Sequence, residues 1–576
     1  MSSDETILSP ASPQPDRPET ALAEQQRAAA DRATRRFNAI AVTLIAIVTL
    51  LSAVAAFLQN DAANRQSSAA RDVQRYAASQ LSAALQSQQA QNFDIDVQRN
   101  WLNLAYERSL LLDSSAAADT TRADQLVDLM SLTAGFSPML QAPYLSDPIT
   151  GSIDLPRYYA DQEYEPTYWQ QRREAASLIN DAWNSKAGTY VTVLTLFAIA
   201  LFLFGIAATI GGKLRGAFVI LGVLIAIGGT AWMINIYLAP VKLRPDQALQ
   251  AMARGHDDVY RAEILRDWRQ KEDALKYYQS GIAQLDEALK IDPDYPAALS
   301  ERASAYLQAG EQRLWDREDA SPFLQYSIDD YRAAIDQGDD SINTLWNLGW
   351  AYFLLGDQPA SLEYTDRALD KAPQQIGLYL NKALALRALG KVDDAFATVQ
   401  EAYQHATEQP TSSSTFYFHA SIFDITQQLR AFPNADLQKL LKDVKEKYVS
   451  LRYLKGQPVK PTGCQITAVA FFKTLDANNE LTDRADTFPA QTEAVYMGFD
   501  YTNLPAGGEI EAVVYFFDKE DETLTVQEKL DLQANGTGYI RVTSPFIKAG
   551  GLASGSYRVD IHINGEYLAS GEFTVE

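Results

Sequence analysis

The side chains able to do chemistry in this chain are few and scattered. A nucleophilic relay or a soft-metal site needs cysteine and histidine close together, and the 576 residues hold one cysteine, Cys464, and four histidines, His256, His405, His419 and His562. No two histidines stand at a ligand-like spacing such as i, i+4, so zinc-type sites and Ser/Cys–His relays lack their usual parts. A lone cysteine also excludes an intrachain disulfide. Asp518, Glu520, Asp521 and Glu522 could surround Ca²⁺, which takes six to eight oxygens, but a solvated acidic turn has the same composition. Asp292-Pro293-Asp294 reads the same way, and the formal glycosylation sequon Asn535-Gly536-Thr537 more simply supplies a turn. There is no phosphate-cradling loop, nucleophile elbow or dinucleotide fingerprint. The expectation is a protein that is not an enzyme, with no catalytic residues, no metal and no cofactor. The net charge of −23 argues against general nucleic-acid binding, which needs basic patches.

What remains is recognition, and the elements that would position it are organised around a pair of apolar runs. Tyr190–Ile210 and Ala217–Leu238 each approach the ~20 residues that a helix needs to cross hydrocarbon, and neither contains an ionisable side chain. Only Gly211–Gly216 separates them, too short a link to recross a bilayer, so both flanks lie in one compartment. Two apolar helices could instead form the core of a large soluble domain, but neither run keeps a polar face. Trp232 and Asn235, near the end of the second run, suit an interfacial belt. The pair is read as a transmembrane hairpin over residues 188–239.

Residues 1–36 are rich in Pro, Ser, Ala and charge and nearly free of large apolar side chains, the composition of a disordered tail. The apolar run 37–58 follows Arg35-Arg36. Ala53-Val54-Ala55 resembles a cleavage signature, but signal-peptide cores span only ~7–15 residues, so the run is read as an uncleaved first anchor. Arg27, Arg32, Arg35 and Arg36 precede it and Lys213 and Arg215 fill the hairpin loop, which places the N-terminus in the cytoplasm. The opposite flanks also carry basic residues, among them Arg65, Arg71, Arg75, Lys186 and Lys242, but immediate adjacency favours this orientation. Residues 59–187 then form a helical extramembrane stalk. The anchor helix should continue to about Ser87, with further helices over Ile95–Leu112 and Thr121–Thr133. A Pro/Tyr-rich loop over Ala134–Pro166 should follow, then a helix over Tyr168–Lys186 with Pro166 in its first turn.

After Pro240 and Pro245 the pattern becomes repetitive. Leu348, Gly349, Tyr352, Gly356, Ala368 and Pro373 mark one unit, and Ala383, Leu386, Gly390, Ala395, Val399 and Ala402 the next. Gly356 and Gly390 lie 34 residues apart, as do Ala368 and Ala402. This resembles the tetratricopeptide repeat (TPR), whose antiparallel helix pairs need small residues where they cross. An earlier copy with Ala303, Tyr306, Gly310 and Ala334 carries an insertion around Glu311–Pro322, and a degenerate one closes at Ala288–Pro293. The array covers residues 246–455, with Thr415–Leu429 and Ala435–Leu454 as closing helices. The resemblance implies a concave groove lined by the first helix of each pair. It places Asn343, Trp346, Asn347, Trp350 and Phe353, with Leu380, Asn381, Leu384 and Arg387, along that groove as peptide-binding residues. Asn347 and Asn381 are equivalent, 34 residues apart, and in such arrays asparagines here hold an extended backbone. The lysines of a carboxylate clamp are missing, so an internal peptide segment fits better than a terminus.

From Pro461 the periodicity changes to two. Val495, Met497, Phe499 and Tyr501 alternate with small or polar neighbours, as do Ile510, Ala512, Val514 and Phe516, and Tyr557, Val559, Ile561 and Ile563. With Gln465–Lys473, Glu522–Leu532, Gly538–Thr543, Glu566–Val575 and the hairpin turn Asn564-Gly565, about seven strands fill residues 462–576. This looks like an immunoglobulin-type β-sandwich without the hallmark cysteine pair. The architecture is thus multidomain: three transmembrane helices, an all-α stalk, an α-solenoid of TPR-like pairs and an all-β C-terminal sandwich. The expected role is a membrane-anchored scaffold or adaptor in a bacterial plasma membrane, binding a protein or peptide outside it, with the lipid bilayer as its other partner. The alternatives are an extracytoplasmic ligand sensor, or a non-catalytic subunit of a surface enzyme or transport complex.

Overall fold

The structure, a computed structural model, describes residues 18–112, 117–145, 153–210, 214–267, 270–410, 412–431, 433–476, 480–490, 492–516, 519–520, 526–529, 534–543 and 552–576. It divides into two compact units, residues 1–257 and 258–576. The expected tail therefore lies partly outside the described residues, and the first helix already begins at Pro18.

The first unit is built on α1 (Pro18–Leu112), α2 (Ala117–Ala134), α3 (Leu155–Thr209) and α4 (Leu214–Leu238). Three of these, α1, α3 and α4, are long and apolar enough to cross a membrane. Along α1 the buried positions Ala41, Val48, Ala55, Ala62 and Ala69 recur every seven residues. On α3 the buried set Tyr190, Val193, Phe197, Ala200, Phe204 and Ala207 alternates steps of three and four. That is the seam of a left-handed coiled coil, and the small residues on α1 let the aromatic rings of α3 seat between the backbones. On α4, Gly222 and Gly229 meet the same rings. A Cβ at Gly222 would sit 2.6 Å from Phe204 and one at Gly229 3.0 Å from Phe197.

Two boundaries differ from expectation. α1 runs unbroken through Ser87–Ile95, because that stretch contains no glycine or proline to end a helix. α3 begins at Leu155, with Pro156 in the first turn and Asp154 as cap, and Pro166 lies inside it. The stalk helix therefore starts well before Tyr168. At the end of α1, Trp101 packs with Met130, Ala134, Leu140 and Leu145 in a small head. There the buried Asp94 carboxylate accepts a 2.5 Å hydrogen bond from Tyr158, and burial together with that bond raises the Tyr158 hydroxyl above its ordinary range.

The helices that follow are α5 (Asp246–Asp267), α6 (Lys271–Ile291), α7 (Pro296–Trp315), α8 (Ser321–Asp336) and α9 (Ile342–Leu355). Then come α10 (Gln358–Lys371), α11 (Ile376–Ala388), α12 (Val392–Glu408), α13 (Ser412–Ala431) and α14 (Ala435–Tyr453). They stack as TPR-like antiparallel pairs. The insertion is absorbed as helix: α7 has 20 residues where α9 has 14. Gly349 lies where α9 crosses α10, and a Cβ there would sit 2.8 Å from the Thr365 hydroxyl and 3.2 Å from the Ser361 carbonyl. Gly349→Leu should therefore overpack the crossing and cost ~1–3 kcal/mol, read as a lower unfolding midpoint of the full chain in detergent. An unchanged midpoint would contradict this pairing.

The C-terminal β region has two sheets sharing one core. One orders β1 (Gln465–Leu475), β2 (Leu481–Arg484), β4 (Ala494–Thr502) and β8 (Gly536–Thr543) as β2-β1-β4-β8. The other runs β3-β10-β9-β5-β6, with β7 also on β5. Its members are β3 (Thr487–Phe488), β5 (Glu509–Phe516), β6 (Lys519–Glu520), β7 (Val526–Lys529), β9 (Gly555–Ile563) and β10 (Glu566–Val575). Val495, Met497 and Phe499 of the first sheet meet Ala512, Val514, Val559 and Ile561 of the second. Asn564 and Gly565 take φ of 47° and 82°, joining β9 to β10 as a tight hairpin. Of the acidic loop only Glu520 is among the described residues, and the strand expected over Glu522–Leu532 is described only as β7.

Candidate functional site

The expected groove residues come from α9 and α11, and α9 is capped at both ends. The Ser341 hydroxyl accepts from the Thr344 N–H at 3.3 Å to cap α9, and Gly356 ends it with φ of 93°. Asn343 is exposed, and Asn347 and Asn381 are half-buried, Asn347 beside the interior Tyr331 hydroxyl. The apolar members differ from expectation: Phe353, Leu380 and Leu384 belong to the array's core. Trp346 packs against α11 and α13, with its ring 5.6 Å from Tyr417. Trp350 stacks on Phe353 at 4.9 Å and donates its indole N–H to Glu311 at 3.1 Å. Arg387 is half-buried, and burial lowers its affinity for the proton while Asp436 acts the other way.

The physical reason is that α13 lies on the face that the repeat pattern leaves open. α11 is consequently buried nearly all round, from Ile376 through Leu380 and again from Ala383 to Leu386. Where Trp350 meets Glu311, two acids come together. Burial raises Glu311, against the opposing pull of Arg266 and the Trp350 hydrogen bond. Burial and the Glu311 charge raise Asp424 of α13 well above the carboxylate range, with Arg266 opposing. Arg266 and Glu311 approach to 3.7 Å.

A second polar cluster was missed from sequence altogether. The outer face of β5 and β9 packs on α14, and there Lys445 and Asp560 form a 2.8 Å ion pair with side-chain exposures of 2% and 0%. Burial acts to raise Asp560, but Lys445 and Arg558 outweigh it and hold the carboxyl below its ordinary value. The Lys445 ammonium also sits 4.2 Å from the Tyr567 ring centre, and Arg558 lies 4.2 Å from that of Tyr515. Burial lowers His562 to about 4 despite Asp560. Burial also raises Glu511 to about 7, although one of its oxygens accepts from the Gly565 N–H at 3.2 Å. Arg558, Asp560 and His562 at alternating positions look like the wet face of an ordinary strand, and only their mixed signs hinted otherwise. Among the described residues, no group of three or more His, Cys, Asp or Glu is arranged to hold a metal.

No protein-family model matches the chain. Among solved structures it is similar to MamA, residues 41 to the end, from Desulfovibrio magneticus RS-1, at 14% identity, over 33% of this chain and 94% of that one, with a TM-score of 0.23. It is similar to YrrB, described as a TPR protein with an unusual peptide-binding site, at 15% identity over 35% and 88%, TM-score 0.21. It is also similar to the alkylpurine DNA glycosylase AlkC of Pseudomonas fluorescens, at 13% identity over 57% and 97%, TM-score 0.21.

Proposed function

We propose that this chain is a membrane-anchored scaffold that holds a protein or peptide partner through its helical-repeat array, and that it is not an enzyme. The stacking of α5 to α14 carries the reading, because helix pairs joined by nearest-neighbour contacts produce an extended recognition surface rather than a closed pocket for chemistry. Asn343, exposed, and Asn347 and Asn381, half-buried, are the groups on α9 and α11 that would meet the partner.

The anchoring is supported by what marks the two ends of the apolar helices. At one end Arg215 stacks on Phe37, 3.5 Å from the ring centre. At the other, Arg65 and Lys186 flank Trp183 at 5.0 and 5.2 Å, and Lys186 donates to the Ala239 carbonyl. From Phe37 to Arg65, at ~1.5 Å per residue, α1 covers ~42 Å, the thickness of a bilayer with its headgroup layers. The preferred topology has three spans in a bacterial plasma membrane, the N-terminus in the cytoplasm and the array and β region outside. With Cys464 replaced by Ala, Ser556→Cys should label with a membrane-impermeant maleimide in whole cells and Ser9→Cys should not. The reverse pattern inverts the topology.

For the scaffold itself, purification of the full chain in detergent should bring down a stoichiometric partner. Asn347→Ala/Asn381→Ala should weaken that capture at least ~10-fold while leaving the helical circular dichroism unchanged. Undiminished capture would move the binding surface elsewhere. A partner that is itself catalytic would favour the subunit alternative. A chain without a partner, but stabilised by a small molecule, would favour the sensor.

A further inference from the structure

The cations at the two ends of the apolar helices are not served alike. At the Trp183 end Arg65 is held by Asp61 at 2.8 Å, and Lys186 donates to the Ala239 carbonyl. At the Phe37 end the chain offers no such partner. α1 carries no acid between Asp31 and Asp61, and none stands between Asp181 and Asp246. Lys213 and Arg215 are therefore far in sequence from any acid, and Arg35 and Arg36 have Asp31 as the nearest one. Arg215 lies over the Phe37 ring, and its buried Nη2 finds no hydrogen-bond partner among the described residues. Arg35 and Arg36, within a turn of Phe37, are exposed. An enclosed guanidinium N–H without an acceptor costs free energy that an anion beside it would recover.

Inward of this end, a furrow of about 360 Å³ runs between α1 and α4. Phe204 of α3, Val48 and Ala226, all buried, form its floor, and Ile47, Ile227 and Ile234, about half exposed, form its rims. The Thr230 hydroxyl beside them donates to the Ala226 carbonyl of its own helix at 2.7 Å. The surface on offer is therefore hydrocarbon. On α1 the lining runs from Leu44 to Leu51, ~10–21 Å along the axis from Phe37, the depth between the headgroups of one leaflet and the bilayer mid-plane. On α4 it begins at Val223, ~12 Å from Arg215. An unpaired cation and an apolar furrow thus stand in the order, and at the separation, of the two parts of a phospholipid.

We infer that the furrow between α1 and α4 is a binding site for one anionic phospholipid, whose phosphate meets Arg215 with Arg35 and Arg36 and whose acyl chain lies against Phe204, Val48 and Ala226. A zwitterionic lipid would supply the chain but bring a cation of its own to a cluster that already lacks anions. An anionic headgroup supplies what is missing. The inference rests on the membrane-anchored reading, and adds to it which lipid is held and where; in the topology given above the lipid comes from the cytoplasmic leaflet.

The test is native mass spectrometry of the full chain in a non-ionic detergent, offered equal amounts of a phosphatidylglycerol and a phosphatidylcholine with the same acyl chains. The wild type should retain one phosphatidylglycerol with a preference of at least ~10-fold. Arg215→Gln leaves Arg35, Arg36 and Lys213 in place and should bring the preference close to parity. Ala231→Phe changes no charge and fills the furrow from an exposed lining position, and it should lose the retained lipid. Glycerol phosphate, a headgroup without chains, should not displace the lipid at millimolar concentration. Equal retention of both lipids by the wild type, a preference that survives either substitution, or displacement by glycerol phosphate overturns the inference. Should Arg215→Gln not fold, the wild type and Ala231→Phe decide it by the same criteria. A chain that stays soluble and monodisperse without detergent would end the anchored reading and the lipid site with it, whereas a chain that needs detergent but shows no preference ends the lipid site alone.

Discussion

Replacing Lys445 by Ala is expected to lower the stability of the unit formed by the repeats and the β region by about 3–5 kcal/mol, the usual cost of stranding one member of a buried ion pair. Asp560 would keep Arg558, 3.4 Å away, as its nearest cation, in a buried site. The control is the triple variant Lys445→Met/Arg558→Met/Asp560→Leu. It removes the three paired charges at similar volume and should recover most of the loss, because apolar substitutes of matched size often equal or exceed a buried pair. Denaturant unfolding of the full chain in detergent, followed by circular dichroism, measures both. A single variant within 1 kcal/mol of wild type would mean that solvent reaches the cluster. The cluster fixes where the β region docks more than how strongly, since mixed charges on both surfaces are satisfied in only one register.

The same interface should give a concealed pH dependence. Glu511 has its folded value raised to about 7 from an ordinary 4.5. Its contribution is therefore fully present below pH 4.5 and is lost as pH rises through 7. His562 is lowered to about 4 from 6.5, so its contribution is present above pH 6.5 and is lost as pH falls through 4. Between these limits the two slopes oppose, so together the two groups should add almost nothing to the pH dependence of the wild type. Glu511→Gln removes one slope, and its stability should climb by about 3 kcal/mol from pH 4 to 6.5, at about 1.4 kcal/mol per unit. His562→Phe should show the reverse, falling from pH 4.5 to 7. Unfolding midpoints at the two ends of the window decide it, and variants that track the wild type would show that neither group titrates in the folded state.

Local signals in the sequence foretold much of the architecture. The helices α3 and α4 followed from two uncharged runs, the repeats from the paired 34-residue offsets, and the strands from period-two alternation closed by Asn564-Gly565. The failures have one physical character. The break expected near Ser87 followed the end of the apolar spacing, yet Gln88–Asp94 has no residue that stops a helix, and Ser87, Asp94 and Trp101 stay buried at seven-residue intervals. The candidate site was legible as positions but not as surroundings. Trp346 lies on α9 and Leu380 and Leu384 on α11, but Trp346 meets Tyr417 of α13 and the two leucines are buried in the core of the array. Arg558, Asp560 and His562 failed likewise, because a strand face that meets a charged helix reads the same as one that meets water.

The unbroken run of α1 has a mechanical consequence. Between Leu58 and Leu112 there is no joint, and α3 is wound along part of that length, so the segment acts as a lever about ~80 Å long. A change of ~10° in the tilt of its apolar portion would sweep the far end through ~14 Å, more than the width of a helix. Small rearrangements at the base would thus become large displacements at the head, and any hinge engineered near Gln88 should disconnect the two.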